Sequence, residues 1–554
     1  MPSRLAGAQD VEKNESSADA AAATVTNGDE GEYPSMWKLV PLSIALCMAM
    51  LIVSLDSTIL ATAIPRITND FNSLDDVAWY GSSYLFAACA LQLVFGKFYA
   101  MYPVKWVFLA GIIIFEVGSL VAAVAPSSGV LIGGRTLTGV GASSIFAGAI
   151  IILATAVPLR QRPLYTGVLS SMHAVASVAG PLLGGAFTDH VTWRWCFYIN
   201  LPLGGIAILF LILFLPYKPA AQPVRGLKEQ IKQFDLLGAF FLIPSVICLL
   251  LALQWGGVQY SWSNGRIIAL LVVFGILGIV FFGVEYWQKD RATIPMRLLK
   301  NKNILGGSWY CMTIWGCMFV FTYYLPIWFQ AIKGVSATDS GLMNLPSILG
   351  LVLFSIIAGG LATALATFVP LLLISSAITA VGAGLLTTLE VDSTIGYWFG
   401  YQVVLACGVG LGSQNVMLVA QTAVSQGDMA MATSILTFVQ TLSSSVWLAV
   451  AQNVFQNQLV KNISANAPEL DAASIINAGV TAIRESVPPD QLSAVLEAYN
   501  NAIIQTFYAA VSLAALSIAG PACMDWISLN PEKKPSKDTV DDSSVDSNTP
   551  EKAA

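Results

Sequence analysis

The sequence predicts an all-α protein that crosses a membrane many times. Of its 554 residues, 56% are hydrophobic and only 11% are charged, whereas soluble domains carry about 25% charged residues. The hydrophobic residues lie in blocks of about 20, the length that a helix needs to cross ~30 Å of hydrocarbon. The alternating segments of about ten residues that are typical of a membrane β-barrel do not occur in the sequence.

Fourteen segments have the length and hydropathy of membrane-spanning helices. The boundary between the tenth and the eleventh, GGLATALATF, is weakly marked, and reading through it would give thirteen spans with the two tails on opposite sides. The predicted spans are 39–63, 77–97, 106–125, 130–154, 164–187, 196–216, 236–254, 267–287, 305–329, 342–362, 366–387, 396–416, 430–455 and 503–524.

The distribution of positive charge predicts the orientation. With the N-terminus inside, the inner segments hold 20 of the 27 Lys and Arg residues, the outer segments hold six, and Arg135 lies within a span. Positive residues accumulate in cytoplasmic loops, so both tails are predicted to be cytosolic. Both tails are polar and are predicted to be disordered. No hydrophobic segment precedes the first span, which is therefore expected to act as the insertion signal.

The residues needed for several kinds of chemistry are missing. Two histidines, His173 and His190, cannot supply the ligand cluster of a metal enzyme, and neither a G-x-x-x-x-G-K-[ST] nor a G-x-S-x-G motif occurs. The eight cysteines form no C-x-x-C and are interpreted as small core residues. These absences favour a secondary transporter without metal or cofactor, not an enzyme, with an ion gradient as its energy source.

Three ionisable residues lie well inside predicted spans, where charge is costly and commonly functional. Asp56 in the first span and Arg135 in the fourth are both ~8–12 Å below the outer boundary at 1.5 Å per residue, and Glu116 is near the midplane. A carboxylate that is alternately paired and unpaired can take up and release a proton. The alternatives are structural: Asp56 as a packing acid bonded to Ser57 or Thr58, Arg135 as a strut between helices, and Glu116 as a neutral hydrogen-bonding acid.

Small residues form a stripe along the fifth span. Ala176, Gly180 and Gly184 recur every four residues, with Pro181 beside Gly180 and Gly185 after Gly184. Such a stripe allows close approach of another helix, and the proline favours a kink. The pattern suits either a rocking joint or tight packing alone.

Several motifs together resemble the major facilitator superfamily, in particular its fourteen-span drug:proton antiporters and, among these, fungal toxin and multidrug efflux pumps. The matching segments are LDSTILATAIP at 55–65, GGRTLTGVGAS at 133–143, GPLLGG at 180–185 and WRWCFYINLPLG at 193–204. The resemblance covers roughly residues 37–528. GPLLGG is the most specific element, because it marks antiporters.

The resemblance implies a domain organisation of two six-helix bundles with two inserted spans. The cytosolic N-tail is 1–36, and the N-terminal bundle is 37–216. The linker with spans 7 and 8 is 217–304. The C-terminal bundle, with an outer loop at 456–502, is 305–528, and the cytosolic C-tail is 529–554.

The resemblance also implies roles for matching residues. Asp56 would bind a proton or substrate, Arg135 would take part in proton transfer, and Gly180, Pro181 and Gly184 with Gly185 would form the antiporter hinge. The loop between spans 2 and 3 departs from the family pattern: GKFYAMYPVK at 96–105 lacks the usual acid and arginines. Lys97 and Lys105 are interpreted there as topology signals.

The expected function is proton-coupled export of an amphipathic small molecule, such as a toxin, secondary metabolite or drug, by a monomer in the plasma membrane, with the vacuolar membrane as the alternative. A proton-coupled importer, for example of metal chelates, and a non-transporting receptor are the other candidates, and nucleic acid is not an expected partner. Asn462 begins an outward-facing glycosylation sequon. Cavity candidates are the polar and aromatic residues Gln92, Tyr323, Tyr324, Gln414, Asn415 and Gln440.

Overall fold

A computed structural model describes residues 34–71, 73, 76–219, 226, 234–257, 259–468, 470, 484 and 487–529. Nearly all of both predicted disordered tails and part of the predicted outer loop lie outside these residues. The described chain contains fourteen helices that are long and apolar enough to cross a membrane. This number and the position of each helix confirm the fourteen predicted spans.

The spanning helices are numbered in chain order, and each coincides with the predicted span of the same number. Their bounds are α1 Met36–Phe71, α2 Val77–Met101, α3 Val104–Ala123, α4 Ser128–Ala156, α5 Arg162–His190, α6 Asn200–Phe214, α7 Leu236–Trp255, α8 Gly265–Gln288, α9 Lys302–Trp328, α10 Leu345–Leu365, α11 Val369–Leu386, α12 Ile395–Ser413, α13 Gln426–Asn466 and α14 Leu492–Leu516.

The weakly marked boundary between the tenth and eleventh spans is a true helix break. Helix α10 ends at Leu365, and Ala366 has a φ of 54°, in the left-handed region. A non-glycine residue rarely adopts this conformation, and it turns the chain out of the helix. Helix α11 then begins at Val369, with Pro370 in its first turn, where proline is well tolerated.

The loop before the last span is shorter than predicted. Helix α13 is 41 residues long and continues to Asn466, while α14 already begins at Leu492. Both helices therefore extend into the predicted outer loop 456–502, and the position of this loop outside the membrane stays a prediction. Asn462 of the sequon lies in the last turns of α13, and its Nδ2 lies 3.4 Å from Ala498 O and from Gln505 Oε1 of α14. Its glycosylation stays a prediction.

The helices pack as two sets with a pair inserted between them in the chain. In the first set (α1–α6), α1 packs on α5 and α6, and α4 packs on α2 and α3. In the last set (α9–α14), α9 packs on α13 and α14, and α12 packs on α10 and α11. The inserted pair, α7 and α8, pack on each other, and α7 also contacts α2 and α13.

The two sets meet where α5 packs on α10 and where α2 packs on α13. Because consecutive crossings alternate in direction, α1 begins and α14 ends at the same end of the molecule, which we call the tail end. Gln92 of α2 donates a hydrogen bond of 3.1 Å to Thr437 of α13. On the other side, a methyl group at Gly359 of α10 would lie only 2.5 Å from the carbonyl oxygen of Pro163. These close approaches lie in the tail-side parts of the helices.

Candidate functional site

The centre of the first set contains a buried ion pair. Asp56 of α1 and Arg135 of α4 have side chains that are 0% and 1% exposed, and Arg135 Nη1 donates to Asp56 Oδ2. Arg135 Nε donates a second hydrogen bond, of 3.0 Å, to the carbonyl oxygen of Tyr80 in α2. The similar depth expected for the two residues from the sequence is consistent with this contact. A charge pair removed from water is held by its mutual attraction and by the hydrogen bonds of its remaining polar atoms.

Asn200, the first residue of α6, connects this pair to α3. Its Nδ2 lies 3.2 Å from Asp56 Oδ1 and 3.1 Å from Ser119 Oγ. Both oxygens of Asp56 thus accept hydrogen bonds, one from a charged donor and one from a neutral amide. Asn200 is not among the residues predicted from the sequence, although it stands in the segment WRWCFYINLPLG as an amide at the start of an apolar span.

Aromatic rings surround the guanidinium of Arg135. Its Cζ lies 4.7 Å from the ring centroid of Tyr84 and 5.9 Å from that of Phe197. A cation over an aromatic face is attracted by the ring quadrupole, and more strongly where water is excluded. The rings therefore help to hold the guanidinium in place through cation–π attraction.

Glu116 of α3 lies at the edge of the same network. It is 9% exposed, and neither of its carboxyl oxygens has a hydrogen-bond partner among the described residues. Its side chain packs against Gly204, where the carboxyl group occupies the space that a side chain would need. Burying a carboxylate without donors is costly, so this environment suits a neutral, protonated acid. The predicted hydrogen bond to a neighbouring helix is not present in the described part of the chain.

The glycine stripe of α5 contacts α1. A methyl group at Gly180 would lie 2.8 Å from Thr58 Cβ, and one at Gly184 would lie 2.5 Å from Ile59 O. Thr58 Oγ1 donates a 2.9 Å hydrogen bond to the carbonyl oxygen of Ala176. Gly185 faces open space. The stripe therefore joins two helices of the first set, next to Asp56 in α1, while α5 meets the last set nearer the tail end.

The six cavity candidates are spread over α2, α9, α13 and the end of α12. Gln92 lies in the contact between the two sets, and Gln440 is on the same helix as its partner Thr437. The amide oxygen of Gln440 is buried without a partner among the described residues.

The other four candidates lie on α9 and at the end of α12. Tyr323 is 53% exposed, whereas Tyr324 is buried against Phe455, with ring centroids 5.3 Å apart. Asn415 is bonded to Leu411 O of its own segment at 2.9 Å, and Gln414 is half-buried where α12 gives way to the short helix Asn415–Leu418.

A hollow in the last set was not expected from the sequence. It lies between α9, α10 and α12, and its polar lining includes Thr322, Asn344 and Ser347 beside Phe321 and Leu351. The amide oxygen of Asn344 is buried there without a partner among the described residues. The hollow is mostly apolar, and its cavity volume of ≈ 20 Å³ is room for about one water molecule.

Comparison with known families and proteins points to one family of transporters. The family model described as "Major Facilitator Superfamily" matches residues 46–448. The chain is 48% identical over 523 residues to the MFS-type transporter astH of Aspergillus oryzae, covering 94% of this chain and 93% of the relative. It is also 48% identical over 508 residues to the efflux pump roqT of Penicillium rubens, covering 92% and 94% of the two chains.

Solved structures support the fold. The human organic anion transporter MFSD10 aligns with a TM-score of 0.54 at 13% identity, covering 85% of this chain and 99% of that one. The proton:xylose symporter XylE aligns with a TM-score of 0.53 at 13% identity, covering 88% and 95% of the two chains. At such low identity the likeness concerns only the arrangement of helices.

Proposed function

Because the chain belongs to the major facilitator superfamily, and is therefore a membrane transporter of small molecules and not an enzyme, we propose that it is a proton-coupled antiporter that exports an amphipathic molecule. The observation that carries this proposal is the buried pair of Asp56 and Arg135. The chain has a carboxylate at membrane depth, and its charge is balanced by one arginine. Intramembrane acids of this kind are functional by default.

The proposed coupling works through competition for Asp56. While Arg135 is bound, the carboxylate is stabilised in its charged form, and separation of the two would favour its protonation. Asp56 accepts a hydrogen bond from Asn200 of α6, and its own helix α1 packs on α5. Movement of α5 or of α6 would therefore change the position of Asp56. A rearrangement that opens the molecule to one side can therefore change the proton affinity of Asp56.

Glu116 is the proposed second participant. It is buried without hydrogen-bond donors among the described residues, in α3 of the same set of helices as Asp56. Loss of a proton from Asp56 would create a negative charge that repels an ionised Glu116, and binding of a proton would remove that charge. A hinge role is proposed for Gly180, Pro181 and Gly184, because the two glycines fix the distance between α5 and α1, whereas Gly185 meets no neighbour and is not included.

The proposed cargo is a neutral or cationic amphipathic compound, such as a secondary metabolite, toxin or drug. Among the described residues, Arg135 is the one Arg or Lys deep within a span, and Asp56 already balances its charge. The related chain from Penicillium rubens bears the name efflux pump, which supports the outward direction.

The proposed membrane is the plasma membrane, with the tail end in the cytosol. The excess of Lys and Arg in the segments at this end supports that orientation. Protons, the bilayer and the exported molecule are then the expected partners of a monomer.

The experiment is proton-driven uptake of a labelled lipophilic cation into inside-out vesicles that contain the full chain. We expect accumulation that collapses when a protonophore removes the pH gradient. Accumulation that is equal with and without the gradient would overturn the coupling, while leaving the transporter assignment intact.

A further inference from the structure

The segment between α8 and α9, residues 289–301, binds the first set of helices through its backbone. Lys97 Nζ of α2 donates hydrogen bonds of 2.8 and 3.1 Å to the carbonyl oxygens of Arg291 and Ala292. The side chain of Lys97 is 8% exposed, so its ammonium is largely removed from water. A buried ammonium needs such acceptors, and losing them would be costly.

The same segment also binds the last set. Arg297 Nη2 lies 2.6 Å from Asp428 Oδ1 in the first turn of α13. An acidic side chain in the first turn of a helix is already favoured by the helix dipole. The 289–301 segment thus has one attachment on α2 and another on α13, the two helices that form one of the contacts between the sets.

Two buried acids of the inserted pair hold this segment in shape. Asp235, which caps α7, accepts from the backbone N–H of Thr293 at 2.9 Å, and Glu285 of α8 accepts from that of Ile294 at 2.7 Å. Gln288 Nε2 also donates to Asp235, at 2.5 Å. Burial raises the pKa of Asp235, but hydrogen bonds from Glu285 and from the N–H groups of Gly238 and Thr293 lower it more, so its net pKa is below the ordinary value. Hydrogen bonds to these two acids therefore hold the segment whose carbonyls bind Lys97.

This arrangement lies where the two sets touch. Gly96, the neighbour of Lys97, packs so closely on Ser434 of α13 that a methyl group would lie 2.5 Å from Ser434 Cβ. Lys97 and Gly96 are the first residues of the loop sequence GKFYAMYPVK, which lacks the acid and arginines expected there. Backbone carbonyls of the inserted segment provide the partner that the loop itself does not contain.

We propose that residues 289–301 form a lock that holds the tail end closed, and that Lys97 is the positioning residue that fastens it to the first set. This inference rests on the alternating access of the proposed function, but not on its proton coupling. In the described arrangement the lock is fastened at both α2 and α13. Opening of the tail end requires Lys97 to leave the Arg291 and Ala292 carbonyls, or Arg297 to leave Asp428.

The test compares Lys97→Met with Lys105→Met in the full chain. Lys105 Nζ also binds two carbonyls, those of Ile212 and Leu215, at 2.8 and 2.7 Å, but both belong to its own set. Nitroxide labels at Arg160 and Ala364, with the exposed Cys523 replaced by Ser, report the distance across the tail end. We expect Lys97→Met to raise the ratio of long to short distances about tenfold, the shift expected when a hydrogen bond to a charged group is lost from one state. Lys105→Met should leave the distances unchanged.

A second pair of variants keeps the test decisive if Lys97→Met does not fold. Asp428→Arg should lengthen the label distances, and adding Arg297→Asp should restore the short ones. Unchanged distances in both Lys97→Met and Asp428→Arg, with monodisperse protein, would overturn the lock. The measurement uses detergent-solubilised protein without cargo or pH gradient, so a failure of proton coupling does not affect it.

Discussion

Arg135 donates to Asp56 across the centre of the first set, with both side chains removed from solvent. The carboxylate has a second donor in Asn200, and the guanidinium is bonded to the backbone of α2. The ion pair and its hydrogen bonds therefore link α1, α4, α2 and α6. A change in its protonation would be felt by four helices, which is a physical basis for coupling and also the source of the following predictions.

Asp56→Asn should remove proton coupling and weaken the fold. Taking one partner from a buried ion pair leaves an uncompensated charge, which costs about 3–5 kcal/mol. We expect a lower melting temperature. We also expect gradient-driven accumulation in inside-out vesicles to fall about tenfold or more, and a tenfold fall corresponds to ~1.4 kcal/mol in barrier height. Asp70→Asn is the control, because Asp70 is 43% exposed and pairs with Arg66 at the surface. Full efflux with normal pH dependence in Asp56→Asn would leave only a packing role.

Arg135→Lys should impair transport although it keeps the positive charge. The guanidinium donates in two directions and lies against the ring of Tyr84, and an ammonium on a flexible stem cannot reproduce that planar geometry. We expect about a tenfold fall in export rate, corresponding to ~1.4 kcal/mol, measured as initial rates in the same vesicles. Arg66→Lys, at a residue 65% exposed, should have no effect. Equal rates for the two variants would show that charge alone suffices at position 135.

Gly184→Ala should be much more harmful than Gly185→Ala. A methyl group at Gly184 would lie 2.5 Å from the backbone oxygen of Ile59, whereas Gly185 has no neighbour within 4 Å. Forcing extra volume into a well-packed contact costs typically about 1–3 kcal/mol. We expect a lower melting temperature and reduced export for Gly184→Ala only. Equal tolerance of both substitutions would mean that α5 moves away from α1 without cost.

The membrane spans could be predicted from the sequence, but not all of the hydrogen-bond partners of the buried polar residues. Span number and depth follow from hydropathy, and the similar depth of Asp56 and Arg135 agrees with their contact but did not predict it. The extent of α13 was missed, because a helix that continues beyond the apolar region has no hydropathy signal. The role proposed for Lys97 could not be read from the sequence, because its partners are backbone carbonyls, and any residue type supplies a carbonyl. Asn200 was missed because an amide at the start of a span resembles an interfacial residue.

Asp235→Asn should loosen the lock without affecting the buried ion pair. The net pKa of Asp235 is below its ordinary value of 3.8, so its stabilising effect is complete above that value and is lost as the pH falls through the lower folded value. Label distances in the unsubstituted chain should therefore not change through the charge of Asp235 between about pH 5 and 8. The substitution should increase hydrogen exchange of the Thr293 amide, which donates to Asp235. Unchanged exchange would show that Glu285 alone supports the segment.

Glu116→Gln should separate the two interpretations of this acid. Both carboxyl oxygens are buried without partners in the described part of the chain, and the side chain fills the space beside Gly204. Glutamine has nearly the same shape and is always neutral, so it mimics the protonated acid while adding amide donors that cost about 1–3 kcal/mol if they remain unsatisfied. If Glu116 exchanges a proton during transport, the variant should bind cargo normally but lose most of its response to the pH gradient. Glu390→Gln, at an exposed position, should leave that response unchanged. A full response to the gradient in Glu116→Gln would restrict Glu116 to a packing role, with Asp56 as the remaining candidate for the coupling proton.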